Sequence, residues 1–423
     1  MSCSDPSRTV RLVLDRRKFL GAAAAGLLGG CHAAARSGRS LESSAKEGGL
    51  RSVLPVREEP LRLDLFPLLA MPVSEEHLQA AARTVLPPVN LKKYPLAVVY
   101  HALRLWGPEA TLDDVEFLRS DLEGCFGRKM LEIMLDERAF RSLSAALIDH
   151  VLEPSEYGVF VRTTADPVWG REAASTHPGT YLQVCGESGV ASARPLFVGG
   201  TTRFAVADVV RDEARRVHPD GELEWTVNGL GRYLEIRRWQ NRFGEWVGFD
   251  RMAGRLLEEP WGRGPCLGTH VPYALAALVN LQRHSALMSA ECSRRVIQRL
   301  KEIGALLSER QGKDGAWDQG WSGDAGAARP EPPVFDIDIN PIIATGHHLE
   351  WMTICPPEYR PEPAVIARAA EYLAGRVVEI ESFAKADWHR FLPFSHAGKA
   401  LFGLRGNQFA VWPGEADRES TST

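Results

Sequence analysis

Thr345-Gly346-His347-His348-Leu349-Glu350-Trp351 is the stretch that decides the fold, because its opening pattern recurs along the chain. A Ser or Thr, a histidine one or two residues later and then an apolar run appear again at Thr176-His177, Thr269-His270 and Ser395-His396. Ser and Thr are favoured helix N-caps, since their hydroxyl accepts from the open backbone N–H groups of the first turn. The pattern predicts a helix start at each site, with the histidine in the first turn. Two further segments carry part of it. Glu222-Leu223-Glu224-Trp225 ends in the Leu-Glu-Trp that closes the first stretch, and Tyr100-His101-Ala102-Leu103 is similar to Ser395-His396-Ala397-Gly398. Landmarks at 101, 177, 224, 270, 347 and 396 are then separated by 76, 47, 46, 77 and 49 residues. The shorter steps suit one helical hairpin each, and repeats of about 20–50 residues mark helical arrays. Six hairpins closed into a ring would bring six helix starts to one rim of one cavity.

The rest of the body also reads as helix. Leu96 to Trp106 follows Pro95 and is apolar nearly all round, which predicts a buried inner helix. Val296, Leu300, Ile303 and Leu307 fall at i, i+4, i+7 and i+11, a single stripe that predicts an outer helix. Alternating strand patterns are scarce, with Tyr157 to Arg162 the best candidate, so the expected class is all-α. Pro- and Gly-rich connections at Pro167–Thr176, Pro260–Gly268 and Gly320–Pro341 each lead into a landmark helix start, where a binding site would be built.

At 423 residues with 44% hydrophobic and 25% charged side chains, a large core is allowed. A net charge of -4, with no basic run interleaved with aromatics, argues against a nucleic-acid partner. P-loop, Rossmann and Gly-x-Ser-x-Gly patterns are absent, which removes the usual support for nucleotide-dependent and serine-hydrolase chemistry.

The N-terminus carries a targeting pattern. Arg16-Arg17-Lys18-Phe19-Leu20 resembles the twin-arginine export motif and precedes the small apolar run Gly21 to Gly30, too short to span a bilayer. Leu28-Gly29-Gly30-Cys31 resembles a bacterial lipobox, which implies lipidation of Cys31. Asp15 and Gly29 depart from the commonest residues of the two motifs. Residues 1–31 are expected to be a signal, 32–60 a flexible linker, 61–410 one domain and 411–423 a tail, with the protein in the periplasm or cell envelope and held to a membrane through Cys31. Beyond Cys3 and Cys31 remain Cys125, Cys185, Cys266, Cys292 and Cys355, an odd count without CxxC spacing, so disulfides are not expected to hold the fold.

Two family resemblances bear on the body. Leu307-Ser308-Glu309-Arg310-Gln311-Gly312-Lys313-Asp314-Gly315-Ala316-Trp317 resembles the QW motif of the terpenoid cyclases and related prenyltransferases. There Gln caps an outer helix, Asp-Gly makes a tight turn and Trp stacks back on the helix. Gly346-His347-His348-Leu349-Glu350-Trp351 is similar to the Gly-His-x-x-Glu-Trp helix start of the N-acylglucosamine 2-epimerase family, in which the histidine takes part in proton transfer. Both imply an α/α toroid; they imply different chemistry.

The candidate chemistry centres on the opening stretch. With Thr345 as cap, His347 and His348 lie in the first turn, where the helix dipole disfavours imidazolium and leaves a neutral ring as base. Glu350 follows His347 by three residues and shares its face. It and Asp338, whose loop leads into this helix, are the candidate acids. His270, Glu224, Trp225, Trp317, Trp351, His177 and His396 are the candidate substrate-binding residues of the rim, where aromatic faces stack on sugar rings. A helix-end hydrogen bond is the competing role for His177 and His396, and His101 reads as a core histidine. Cys266, four residues before His270, raises zinc as an alternative, with a carboxylate from an adjacent helix start. No second cysteine stands at ligand spacing, and Cys266 can equally be a small buried apolar residue, so no metal or other cofactor is assigned. Asp336-Ile337-Asp338-Ile339-Asn340 lacks the final Asp of the cyclase Asp-x-Asp-Asp acid, and Asp113-Asp114-Val115-Glu116 lacks DDxxD spacing, which argues against isoprenoid cyclisation. The expectation is an exported acid/base enzyme acting on a glycan or other polyhydroxylated small molecule. A non-catalytic binding toroid and isoprenoid chemistry are the alternatives. The sequence does not fix the oligomeric state.

Overall fold

The computed structural model describes residues 54–84, 96–111, 127–139, 151–163, 177–218, 221–323, 339–379 and 388–411. Arg16, Arg17, Cys31, Cys125, the acidic pair at Asp113-Asp114, Asp336 and Asp338 lie outside them. The helices are α1 (Glu75–Thr84), α2 (Leu96–Trp106), α3 (Met130–Leu135), α4 (Thr180–Glu187), α5 (Val206–Arg216), α6 (Glu224–Tyr233), α7 (Phe249–Glu258), α8 (His270–Gln282), α9 (Ala290–Arg310), α10 (Asn340–Ile354), α11 (Pro363–Glu379) and α12 (Trp388–Leu404). Three short antiparallel hairpins interrupt them: β1 (Leu152–Pro154) with β2 (Val159–Val161), β3 (Pro195–Val198) with β4 (Thr201–Ala205), and β5 (Arg238–Gln240) with β6 (Trp246–Gly248). The chain is mainly helical. No helix among the described residues is long and apolar enough to cross a membrane.

Burial sorts the helices into two kinds. In α8 every residue from His270 to Leu281 is buried, and in α10 every residue from Ile342 to Ile354. A helix enclosed on all sides must have neighbours on all sides. By contrast α9 buries one stripe, Cys292, Val296, Leu300, Ile303, Gly304 and Leu307, which matches the periodicity of its sequence. Each fully buried aliphatic side chain of that stripe contributes about 1.5–3 kcal/mol. Ser289 caps α9, its hydroxyl accepting from the Cys292 N–H at 3.2 Å.

Packing places α2 against α4, α4 against α6, α6 against α8, α8 against α10, α10 against α12, and α12 back against α2. Around these six, α3 packs on α2, α5 on α4 and α6, α7 on α6 and α8, α9 on α7 and α8, α11 on α10 and α12, and α1 on α11 and α12. Gly346 in α10 lets α12 come near, since an added Cβ would stand 3.1 Å from the Ala397 backbone nitrogen of α12.

The six landmarks fall on or just before the six mutually packed helices, but fewer of them open a helix than the capping pattern predicts. Glu224 and His270 do begin α6 and α8. The α10 helix instead starts at Asn340-Pro341, so Thr345, His347 and His348 lie in its middle, and Ser395-His396 lies within α12. Thr345 is no cap. Its hydroxyl accepts from the Trp317 N–H at 2.9 Å and donates to the Trp317 carbonyl at 3.2 Å, clipping a loop to the helix. Thr269 occupies the N-cap position, but its hydroxyl donates backward to the Cys266 carbonyl.

The Gln311 to Trp317 segment ends α9 with a compact turn. Gln311 Nε2 donates to the carbonyls of Gly315 and Val365, Asp314 Oδ1 accepts from the Ala316 N–H, and the Trp317 indole donates to Leu307 O at 2.9 Å. Gly315 adopts φ +95°, and a Cβ there would stand 2.5 Å from Arg368 O. At the other end of the chain the expected linker stops before residue 60. Leu54 is buried, the Arg57 N–H donates to Tyr233 O, and Val56 bridges Leu234, so these backbone groups are satisfied on the body. Cys185, Cys266, Cys292 and Cys355 are free thiols.

Candidate functional site

Three of the mutually packed helices meet in a hydrogen-bonded line. From α10 come His347 and Glu350, three residues apart on one face; α12 supplies His396, and α2 supplies His101 and Arg104. His396 Nδ1 lies 2.8 Å from Glu350 Oε2, and its Nε2 lies 3.1 Å from His101 Nε2. An ionised carboxylate only accepts, so His396 donates its Nδ1–H to Glu350. In the neutral ring Nε2 is then the acceptor, and His101 donates to it.

Arg104 keeps Glu350 ionised. Its Nη2 donates to Glu350 Oε1 and its Nε to Glu187 Oε2 of α4, both at 3.2 Å, while its guanidinium lies 5.2 Å from the Trp225 ring centre and 5.5 Å from that of Tyr273. Glu187 also accepts from Gln183 Nε2 at 2.8 Å and from the Tyr273 hydroxyl at 2.9 Å. Burial by itself would raise both carboxyls. For Glu187 the cations Arg104, Lys399 and Arg232 outweigh it and hold the group at about 2. For Glu350 Arg104 does the same, helped by His396, and the group stays well below the usual carboxylate range. Burial opposes the charge on Arg104 as well, and Glu187 and Glu350 more than offset it. Glu350 is thus an anion that accepts from Arg104 and from His396.

On the other side of Glu350 the histidines continue. Ring centres are 3.7 Å apart for His347 and His396, 5.0 Å for His270 and His347, and 5.1 Å for His177 and His270, with Trp225 4.6 Å from His270. Burial pulls His347 and His348 down to about 3, His396 to about 4 and His270 well below its ordinary value, so these rings are neutral at pH 7. The neutrality expected of His347 and His348 is present, but burial causes it rather than a helix terminus. His347 Nδ1 lies 3.1 Å from Glu350 Oε2, off the line of a hydrogen bond. Its Nε2, His270 Nδ1 and His348 Nε2 are buried and have no hydrogen-bond partner among the described residues. Beyond His270, His177 Nδ1 lies 2.6 Å from Glu222 Oε1. Glu224 is raised to about 7, first by burial and then by the charge of Glu222.

Three overlapping groups have ligand atoms within 4.8 Å of one another: Cys266, His270 and His347; His177, Glu222 and His270; and His347, Glu350 and His396. Neutral imidazoles, a thiol and a carboxylate are the donor set of zinc and similar ions.

Against the Arg104 network lies a small cavity of about 20 Å³, room for about one water, whose lining includes Glu187, Arg232, Tyr273, Glu350, Thr353 and Lys399 together with Leu63, Leu65 and Ile354. Burial lowers the Lys399 ammonium to about 8, against the pull of Glu187 that favours the charge. Its Nζ donates to Gln408 O at 2.7 Å.

The structure therefore brings together His347, Glu350, His396, His270, His177 and Trp225, with Glu224 beside Glu222. It turns others elsewhere. His348 Nδ1 accepts from the Trp351 indole at 3.2 Å, and its ring stands edge-on to Trp317 and Trp321, so Trp317 and Trp351 pack around a buried imidazole. The expected open rim is closed at these positions, with His347 and His348 at 0% exposure, Glu350 at 2% and His396 at 3%. Arg104, Glu187, Tyr273 and Lys399 escaped the sequence reading, and His101 was assigned to the core alone. One signal for Arg104 was present: an arginine three residues after a histidine in an otherwise apolar helix has to find anionic partners. Comparison of the chain with family models, with curated proteins and with solved structures found no match.

Proposed function

We propose that the protein is an exported, lipid-anchored α/α toroid that performs acid/base chemistry on a glycan or another polyhydroxylated molecule. The toroid reading is supported by the closed packing order α2, α4, α6, α8, α10, α12, in which the members α2 to α10 are each followed in the chain by a helix packed against them. Export and anchoring rest on Arg16-Arg17 and Cys31.

The observation that carries the chemistry is the line Glu350–His396–His101, which runs from a buried anion to a partly exposed imidazole. Glu350 fixes the tautomer of His396, and the two imidazoles are placed to pass a proton along that line toward the partly exposed His101. Lys399, brought to about 8 and lining the pocket, is the proton donor near neutral pH. The charges of Glu187, Glu350, Arg232 and Lys399 around that small cavity disfavour an isoprenoid chain, whose burial there would leave them unsolvated, and a sugar would engage them only where the cavity opens to admit it. Burial of His347, His348 and His396 favours a second reading, in which the same centre is structural and the pocket only binds.

The test is turnover of envelope polysaccharides and free amino sugars, read as new reducing ends or epimers, by wild type, His101→Gln and Lys399→Met. The expected result is turnover by wild type, with kcat reduced about 10²–10⁴-fold in both variants. Binding by calorimetry without turnover selects the second reading. Neither turnover nor binding sinks both.

A further inference from the structure

We infer that Cys266, His270 and His347 form a binding site for one divalent transition-metal ion of the zinc class. Their ligand atoms already lie within 4.8 Å of one another, with the two histidines buried and the cysteine partly so. Around a tetrahedral zinc, with Zn–S near 2.3 Å and Zn–N near 2.0–2.1 Å, such atoms stand roughly 3.3–3.6 Å apart. A shift of about an ångström would close the set.

A second observation points to a missing ligand rather than to chance proximity. His270 is 2% exposed and His347 0%, yet His270 Nδ1 and His347 Nε2 have no hydrogen-bond partner among the described residues. Leaving a buried polar atom unpaired costs about 1–3 kcal/mol, and native structures contain few of them. A metal would take up these lone pairs. With His347 Nδ1 3.1 Å from Glu350 Oε2, Nε2 is the nitrogen left for the ion. A carboxylate behind the non-ligating nitrogen is the usual support of a metal-bound histidine.

The backbone at Cys266 fits this placement. Cys266 and Leu267 adopt φ +48° and +62°, the two non-glycine residues with positive φ among those described. Left-handed backbone costs a non-glycine residue of order 1–3 kcal/mol and persists where its surroundings impose it. Here the Thr269 hydroxyl donates to Cys266 O at 2.6 Å and the Trp321 indole to Leu267 O at 2.9 Å. The turn presents the thiol to His270, which opens the next helix, and to His347 of α10.

Three protein ligands leave the fourth position of a tetrahedral ion for water or for a ligand oxygen. The inference does not rest on the glycan reading, since it uses neither His101, His396 nor Lys399.

The test uses the whole chain. Purified protein is assayed for bound zinc by elemental mass spectrometry, then stripped and refilled with cobalt(II), and its absorption recorded for wild type, Cys266→Ser, His270→Gln and, as a control, Cys292→Ser. The expected result is one zinc per chain and a thiolate-to-cobalt charge-transfer band. Cys266→Ser should lose that band, and Cys266→Ser and His270→Gln should each weaken zinc binding by more than the 10–100-fold typical of losing a supporting group. The control should behave as wild type. A wild type that takes up neither metal, or binds cobalt without the thiolate band, overturns the site, and this arm decides even where a variant fails to fold. Zinc binding unchanged in folded Cys266→Ser and His270→Gln overturns it equally.

Discussion

Arg104→Met tests the centre most directly, because Arg104 is the one cation bonded to both Glu187 and Glu350 among the described residues. Methionine keeps much of the side-chain volume and removes the charge, leaving two buried carboxylates without their main partner. Breaking a buried ion pair by removing one member costs about 3–5 kcal/mol. For scale, a carboxyl held at about 2 instead of its ordinary 4.5 is worth roughly 3 kcal/mol at neutral pH, at about 1.4 kcal/mol per tenfold, a net of burial against Arg104 first and then Lys399 and Arg232. Denaturant unfolding at pH 7 should therefore show a loss of about 3–5 kcal/mol. The pH dependence has a definite sign. Because Glu187 is depressed in the folded state, its contribution is full above the unfolded value of 4.5 and disappears as pH falls toward 2. The gap between wild type and Arg104→Met should narrow over that window. Adding Glu187→Gln to the variant should recover part of the loss, since it removes one stranded charge. A loss below about 1 kcal/mol at pH 7, or a gap constant from pH 6 to 3, would refute a buried ionised network.

Two further outcomes are expected. Lysine at both Arg16 and Arg17 should leave unprocessed protein in the cytoplasm, and Cys31→Ser should release folded protein from membranes; unchanged fractionation of both variants removes the targeting reading. Trp317→Phe should cost about 1–3 kcal/mol in thermal or denaturant unfolding, because it deletes the 2.9 Å bond to Leu307 O and strands a buried carbonyl; a change within 0.5 kcal/mol would mean that the turn after α9 does not depend on the indole.

The helical class and the inner or outer character of individual helices were legible because they depend on local periodicity. The all-apolar run of α2 and the single stripe of α9 both appear in the structure as read. The helix starts were less legible. A threonine before an apolar run looks like a cap whether it opens a helix or, like Thr345, lies inside one and clips the Trp317 loop; only the long-range bond separates the two. Of the strands in the three hairpins, β2 alone lies in a segment read as strand, Tyr157 to Arg162. The others are three to five residues long, too short for alternation to register, although Gly199-Gly200 between β3 and β4 carries a turn signal, with φ of +58° and +78°. In the candidate site, histidines were found because they are rare and recur. Arg104 and Glu187 were passed over because each is a single charge in an apolar helix, and their pairing crosses 83 residues. Sequence spacing within one helix cannot register such a partner.

The contact between His101 and His396 joins positions 295 residues apart. Until α12 docks, α2 and α10 lack the helix that packs on both, and Glu350 has no His396 beside it. Because α12 is made after the other described helices, it is the one that completes the centre. Closure of so distant a pair is a slow step in folding, and while it is pending an arc of apolar helix faces stays exposed to aggregation. On the proposed export by the twin-arginine route, finishing the chain in the cytoplasm, among chaperones, before moving it would limit that exposure. Transport that accepts only completed cargo would then act as a check that the ring had closed, and any metal ion would be loaded on the side of the membrane where the ring is made.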